Sequence, residues 1–220
     1  MLQKLLGPPT VTFCENPTGG LIRRPWYALS NATFLVVGIV ILKSGKGDSL
    51  SKKFGYLAIL IGTLSFFYDA SYTYASQLLD NAGMFVFVIM LLALNISLIC
   101  KISKVAKVLS LVSLVIIGLI VTMLFGGQAG QIVFGVFILA YITSELYLYQ
   151  KKLHENYIDW IIGFIAFSVG FAFWLPDATK IFCNPLPLLN GRAIFHYLTA
   201  VTIYYLYLFY ASQKDNKKVK

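Results

Sequence analysis

Two pairs of polar side chains, each inside an apolar stretch, are the residues of this sequence best suited to chemistry. Ser65 and Asp69 are four residues apart, and Asp80 follows them. Arg192 and His196 show the same spacing near the other end of the chain. On a helix this spacing places both members of a pair on one face, one turn apart. Because an ionisable group inside a membrane span is costly and by default functional, we expect the two helical pairs to face each other.

The composition places these pairs in a membrane protein. Of the 220 residues, 58% are hydrophobic and 12% are charged, and the mean hydropathy is +0.76, whereas a soluble domain has about 25% charged residues. The predicted fold class is an all-α integral membrane protein, a bundle of seven transmembrane helices of roughly 20 residues each. The predicted spans are 26–43, 53–76, 78–99, 105–125, 129–149, 157–177 and 191–211. They form one domain, residues 26–211, between an arm of residues 1–25 and a basic tail of residues 212–220.

The basic residues predict the orientation in the membrane. Most of the 18 Lys and Arg residues lie in the tail and in the loops after the first, third and fifth spans. The positive-inside rule therefore places the C-terminus in the cytoplasm and the N-terminus outside. The outer side then holds Lys4, Arg23, Arg24, Lys180 and Arg192. We interpret the net charge of +9 as a topology signal and not as a nucleic-acid surface.

The three cysteines predict a disulfide. They form no CxxC motif and no Cys/His cluster, which argues against a thiolate zinc site. Cys14 and Cys183 both lie on the oxidising outer side, whereas Cys100 lies at the cytoplasmic end of the third span. We therefore predict a bond between Cys14 and Cys183, with two free buried thiols as the alternative.

Three blocks of the sequence, in order, resemble the alkaline ceramidase family and together cover nearly the whole chain. The first block, FCENPTGGLIRRPWYALSNATF, resembles the opening of that family, where a Cys-Glu pair precedes an Asn-Thr-x-Ser-Asn-like start of the first span. Its matching residues are Cys14, Glu15, Ser30 and Asn31, whereas Tyr27 and Ala28 differ.

The other two blocks carry the residues of the active site in that family. In SFFYDASYTYASQLLDNAGM, Ser65 and the Gln77-Leu78-Leu79-Asp80 run match, and Asp69 stands where the family has His. The third block is FWLPDATKIFCNPLPLLNGRAIFHYLTA, in which Arg192 stands at the first His of a His-x-x-x-His motif. Its matching residues are Trp174, Asp177, Cys183, Gly191, Ala193, His196 and Ala200.

The resemblance implies a seven-span, metal-dependent hydrolase of the amide bond in ceramide or a related N-acyl lipid, which enters from the bilayer. In such enzymes three His and one Asp hold a zinc ion whose water attacks the amide, and a Ser assists. On this sequence the implied catalytic residues are Ser65, Asp80 and His196. The implied metal ligands are Asp69, Asp80 and His196, with Arg192 as a substrate contact. Of the acidic arm that binds calcium in some relatives, Glu15 is kept, whereas Pro17 and Arg24 occupy other positions.

Two of the four implied zinc positions carry residues that depart from the family, Asp69 and Arg192. Arginine stays protonated and has no lone pair for a metal. One interpretation keeps a metal on Asp69, Asp80 and His196, while Arg192 swings away or binds a headgroup or an oxyanion. The other replaces the zinc by a salt bridge from Arg192 to Asp69 or Asp80, because a buried arginine needs a carboxylate partner.

Two functions stay open on the sequence. One is a hydrolase of ceramide or another N-acyl lipid whose metal-dependent activity is reduced or lost. The other is a non-catalytic lipid-binding or receptor-like relative that uses the same site. A retinal-binding protein is discounted, because the predicted seventh span has no lysine for a Schiff base. The expected location is an integral, multi-pass position in the plasma membrane or an endomembrane.

Overall fold

The computed structural model describes residues 5–45, 47–100, 103–126, 128–183 and 186–219, and within these residues the fold is helical and has no β-strand. A short 3-10 turn, Pro187–Leu189, precedes the last helix. The α-helices are α1 (Pro25–Ser30), α2 (Ala32–Ser44), α3 (Ser49–Ser71), α4 (Tyr74–Ile99), α5 (Lys104–Phe125), α6 (Ala129–Gln150), α7 (Ile158–Ala178) and α8 (Gly191–Val219).

Seven of the described helical segments are long and apolar enough to cross a membrane. Helices α1 and α2 together form the first of them, Pro25–Ser44, and each of the other six corresponds to a single long helix. The predicted all-α, seven-span fold class is therefore confirmed. Length and continuous hydropathy were sufficient signals, because a bilayer demands about 20 apolar residues from each crossing.

The boundary between the second and third spans differs from the prediction, which ran the second span to residue 76. Helix α3 ends at Ser71, because Tyr72 adopts a left-handed conformation with φ of 52°. The next helix is then started by two hydroxyl groups: Thr73 N donates to Ser76 Oγ at 3.2 Å, and Ser76 N donates to Thr73 Oγ1 at 3.3 Å. This reciprocal pairing corresponds to a capping box at the helix N-terminus. The turn contains no Gly or Pro, the residues that usually mark a turn in a sequence.

The chain divides into two compact units, Met1–Gln77 with Asn156–Lys220, and Leu78–Glu155. In the first unit α7 packs along α8, and α2 packs against both α3 and α8. Glycines allow the closest approach of α2 to α3, since a Cβ atom at Gly38 would lie 2.7 Å from the carbonyl oxygen of Gly55. Tight packing of this kind fixes the relative position of the helices that carry the polar residues of the first unit.

In the second unit α5 packs against α6, and a polar group is buried among the apolar helices. Glu145 on α6 is 1% exposed. One of its oxygens lies 2.7 Å from Asn95 Nδ2 on α4, and the other lies 2.6 Å from His154 Nδ1 in the chain after α6. Asn95 Nδ2 also donates to Ser144 Oγ at 2.9 Å. These four residues are called the Glu145 cluster below.

Candidate functional site

Asp69 is the centre of the buried polar site in the first unit. It lies on α3, one turn after Ser65, and its side chain is fully buried. Its Oδ1 atom lies 2.7 Å from Arg24 Nη2 and 3.3 Å from Arg192 Nε. Its Oδ2 atom accepts a hydrogen bond from Asn31 Nδ2 at 3.0 Å and lies 3.5 Å from Arg192 Nη2. Arg24, Asn31, Asp69 and Arg192 are called the Asp69 cluster below.

Arg24 was grouped on the sequence with the basic residues of the outer side, yet its side chain is fully buried. Its backbone N–H donates to the carbonyl oxygen of Asp69 at 3.0 Å, which holds the segment before α1 against the end of α3. Its guanidinium nitrogens make no aligned hydrogen bond to the described residues. The group is instead held by the Asp69 carboxylate and by four rings whose centroids lie 4.7–5.5 Å away, within cation–π range: Tyr68, Tyr72, Phe13 and Tyr27.

Arg192 approaches Asp69 from the first turn of α8. Its guanidinium carbon lies 4.3 Å from the Phe13 ring centroid and 5.0 Å from the Tyr68 ring centroid. Phe13, a residue of the arm, is 3% exposed. Its ring packs against the guanidinium groups of both Arg24 and Arg192. The predicted approach of Arg192 to Asp69 is thus present, but Asp69 shares its carboxylate between two arginines.

Asp177, a residue of the third matching block, joins the arm, α1 and α8. Its Oδ1 atom accepts from Cys14 N at 2.9 Å and from the Tyr27 hydroxyl at 2.8 Å, and its Oδ2 atom accepts from Arg192 N at 2.8 Å. The last bond occupies a free N–H at the start of α8, where a carboxylate is favoured by the helix dipole. Gly191 permits the approach, because a Cβ atom there would overlap the backbone of α7. Asp177 thereby fixes the position from which Arg192 reaches Asp69.

Glu15, the implied calcium ligand, accepts hydrogen bonds from the N-terminal end of α1 in this structure. Its two oxygens accept hydrogen bonds from Trp26 N at 3.0 Å and Tyr27 N at 2.9 Å. These are N–H groups of the first turn of α1, which have no partner within the helix. Burial raises the pKa of the Glu15 carboxyl, and the two backbone donors oppose that rise. Both oxygens already have a protein partner without a calcium ion.

The arm is also held covalently. Cys14 and Cys183 form a disulfide with their Cα atoms 5.4 Å apart, and Cys100 is free and exposed. The bond joins the arm, directly after Phe13, to the segment between α7 and α8. It therefore keeps the ring of Phe13 over the two guanidinium groups.

His196 lies one turn after Arg192 on α8 and is 3% exposed. Its Nδ1 atom is 2.7 Å from Ser30 Oγ, and Ser30 Oγ is also 2.7 Å from the carbonyl oxygen of Tyr27. A carbonyl oxygen can only accept, and Ser30 has a single hydroxyl proton. When that proton is given to Tyr27, Nδ1 of His196 must be the protonated nitrogen. The lone pair of the neutral imidazole is then on Nε2, as in a histidine that binds a metal through this atom.

The remaining implied site residues, Ser65 and Asp80, are both buried, at 4% and 6% exposure. Ser65 belongs to the first unit with Asp69, whereas Asp80 lies on α4 in the second unit. Sequence reasoning did not single out the roles of Arg24, Ser30 and Asn31. Ser30 and Asn31 carried a signal, since both match the first family block, whereas Arg24 stood out only as a departure from the calcium-binding arm of some relatives.

The fold and the site define a multi-pass integral membrane protein with a buried polar centre. The sequence matches the family model described as Ceramidase over residues 10–219, which is nearly the whole chain. This chain belongs to the Ceramidase family. A search of curated proteins finds no match.

The zinc ion that the family resemblance implies can be tested against the residues of the site. His196 fits the role of a ligand in the tautomer that has its proton on Nδ1, because Nδ1 then donates to Ser30 and Nε2 carries the lone pair. Asp69 does not fit, because both of its oxygens lie near guanidinium groups that stay charged. In the part of the chain that the structure describes, no group of three His, Cys, Asp or Glu residues could hold a metal. The site therefore has one imidazole that could bind a metal, His196, and one carboxylate, Asp69, that is already paired with two guanidinium groups.

Proposed function

We propose that this protein is a ceramidase-like membrane hydrolase for the amide bond of ceramide or a related N-acyl lipid, with reduced or lost metal-dependent activity. The family match over residues 10–219 supports the reaction class and a lipid substrate. The seven apolar helices support substrate access from the bilayer. The proposal keeps Ser65, Asp80 and His196 as the catalytic residues, since each matches its family position and each is buried.

His196 is the single observation that carries the proposal. Ser30 holds Nδ1 at 2.7 Å, which fixes the orientation of the ring, and in the tautomer with the proton on Nδ1 the lone pair is on Nε2. A base held in this way can accept the proton of an attacking water molecule and return it to the leaving amine.

The reduced activity follows from Asp69 and Arg192. The two guanidinium groups on the Asp69 carboxylate take the position where the family has a metal ligand, and arginine cannot replace histidine as a donor. They can stabilise negative charge, as cationic groups do around an oxyanion. They cannot lower the pKa of a bound water as a zinc ion does.

A second function, a non-catalytic protein that binds an N-acyl lipid, is favoured by the same two ion pairs. If they only stabilise the bundle, the same site can bind a lipid without cleaving it. The two functions differ in whether free fatty acid is released and in whether His196 matters for that release.

Detergent-purified protein incubated with ceramide, with fatty acid release measured by mass spectrometry, distinguishes the two. We expect slow turnover that a chelator leaves unchanged and that His196→Ala lowers by about 100-fold or more. Ser65→Ala should lower it as well, whereas Ser168→Ala, on the exposed face of α7, should not. Saturable ceramide binding without release supports the second function. Fast turnover that a chelator abolishes contradicts the reduced metal dependence, and neither binding nor release contradicts both functions.

A further inference from the structure

We infer that Arg24 is the residue that prevents a metal ion from binding at the family's zinc position in this chain. The inference concerns a metal ion alone, so it holds whether or not the protein cleaves a lipid. It starts from a difference between the two arginines of the Asp69 cluster. One stands at a zinc-ligand position of the family, and the other comes from the arm, which supplies no zinc ligand.

Arg192 alone does not explain the loss of the metal position. Its side chain begins on α8 and contacts Asp69 at 3.3–3.5 Å. If it were to swing away, as one interpretation of the sequence requires, the carboxylate of Asp69 would still be 2.7 Å from Arg24 Nη2. The departure of Arg192 therefore does not make Asp69 available to a cation.

Arg24 cannot leave in the same way. Its backbone N–H is bonded to the carbonyl oxygen of Asp69, and the backbone N–H of Arg23 is bonded to that of Ala70 at 2.9 Å. Four aromatic rings surround its guanidinium group, and the side chain is 0% exposed. A swing outward would separate these rings and break the ion pair in a buried environment, where an unpaired charge is costly.

A metal ion on Asp69 would therefore share a buried carboxylate with a fixed cation. Zinc binds a carboxylate oxygen at about 2.0–2.2 Å, so a dication on Asp69 would lie within a few ångströms of the guanidinium group of Arg24. Like charges at that separation repel strongly where water does not screen them. Histidine at positions 69 and 192 would meet the same cation. Restoring the family's ligands is therefore insufficient while Arg24 is present.

The test measures zinc bound per chain, by elemental analysis after purification with zinc and removal of the excess, in a set of variants. The wild type and Asp69→His/Arg192→His should hold no stoichiometric zinc. Adding Arg24→Leu to that double variant should give about one zinc per chain in a tetrahedral site, which Co²⁺ absorption can verify. Arg23→Leu in place of Arg24→Leu is the matched control, because Arg23 is the exposed neighbour, and it should give none.

Each outcome decides the inference, and the thermal unfolding midpoint shows which variants are folded. Stoichiometric zinc in the wild type, equal zinc in the double and triple variants, or a folded triple variant without zinc would each overturn it. If the triple variant does not fold, Arg24→Leu alone decides, since it keeps Asp69 and His196. A Co²⁺ affinity at least roughly tenfold above that of the wild type supports the inference, and an unchanged affinity overturns it.

Discussion

The two units of this protein each bury a carboxylate, and they neutralise it by different means. In the Asp69 cluster the carboxylate lies between two guanidinium groups, with Asn31 as its hydrogen-bond donor. In the Glu145 cluster the carboxylate is 2.6 Å from His154 Nδ1 and accepts from Asn95 at 2.7 Å. The first depends on permanent charge, because arginine is always protonated. The second is built from groups that can also form hydrogen bonds in neutral form.

This difference predicts how each cluster responds to a neutral substitute. A carboxamide has nearly the shape of a carboxylate and can still accept a hydrogen bond, but it carries no charge. A carboxamide should therefore be tolerated where hydrogen bonds hold the carboxylate. It should destabilise the protein where ion pairs hold the carboxylate.

The largest effect is expected from Asp69→Asn. The change removes the carboxylate that both buried guanidinium groups contact, and loss of one partner of a buried ion pair costs about 3–5 kcal/mol. The midpoint of thermal unfolding in detergent should fall steeply, whereas Asp159→Asn in the first turn of α7 should alter it little. Replacing Arg24, Asp69 and Arg192 together by Leu should be less harmful than Asp69→Leu alone. A wild-type midpoint for Asp69→Asn would show that charge does not hold this cluster.

The next effect is expected from removing the disulfide. Cys14→Ser or Cys183→Ser opens a covalent loop with a sequence separation of 169, which is worth about 2–4 kcal/mol in a typical protein. Insertion in a membrane already restricts the unfolded chain, so we expect the lower end of that range. Cys100→Ser is the control. Thiol labelling in denaturant should modify one cysteine without reductant and three with it, and equal labelling in both would contradict the bond.

Glu145→Gln should have a smaller effect, and this change sharpens the comparison most. The glutamine oxygen can still accept from Asn95, and its amide group can face His154, so about 1–2 kcal/mol should be lost. The unfolding midpoint of Glu145→Gln should therefore lie between those of the wild type and Asp69→Asn. If it falls as far as that of Asp69→Asn, the Glu145 cluster is also held by charge and the distinction fails.

The smallest effect concerns Glu15 and pH. Burial raises the pKa of this carboxyl in the folded protein, so the folded state binds the proton more tightly than the unfolded chain does. The resulting stability is present below the ordinary glutamate pKa of about 4.3 and is lost as the pH rises through the raised value. The unfolding midpoint of the wild type should fall over that interval relative to Glu15→Gln. Parallel pH curves for the two proteins would contradict the shift.

Much of the fold, and part of the site, could be predicted from the sequence. The seven spans follow from length and hydropathy, and the i, i+4 spacing correctly directed attention to Asp69 and Arg192. The end of α3 was missed because Thr73 and Ser76 start the next helix through their hydroxyl groups. Capping by two hydroxyl groups is difficult to recognise from the sequence of an apolar segment.

Arg24 and Glu145 show what a sequence without tertiary contacts does not reveal. Arg24 and the exposed Arg23 are adjacent and alike in type, and only the arm, α1 and α3 together decide which one is buried. Glu145 lies near the predicted cytoplasmic end of its span, where a charged side chain is ordinarily expected to be solvated. Its burial depends on His154, nine residues further along the chain, and on Asn95, which is 50 residues away.

The central claim is that guanidinium groups, and not a metal ion, hold the Asp69 carboxylate. The most direct test is the zinc content of the wild-type protein, purified from membranes without a metal-affinity step and equilibrated with buffered zinc. We predict no stoichiometric zinc, and the same value for His196→Ala. About one zinc per chain in the wild type, lost in His196→Ala, would place a zinc ion at the family's site and contradict the claim.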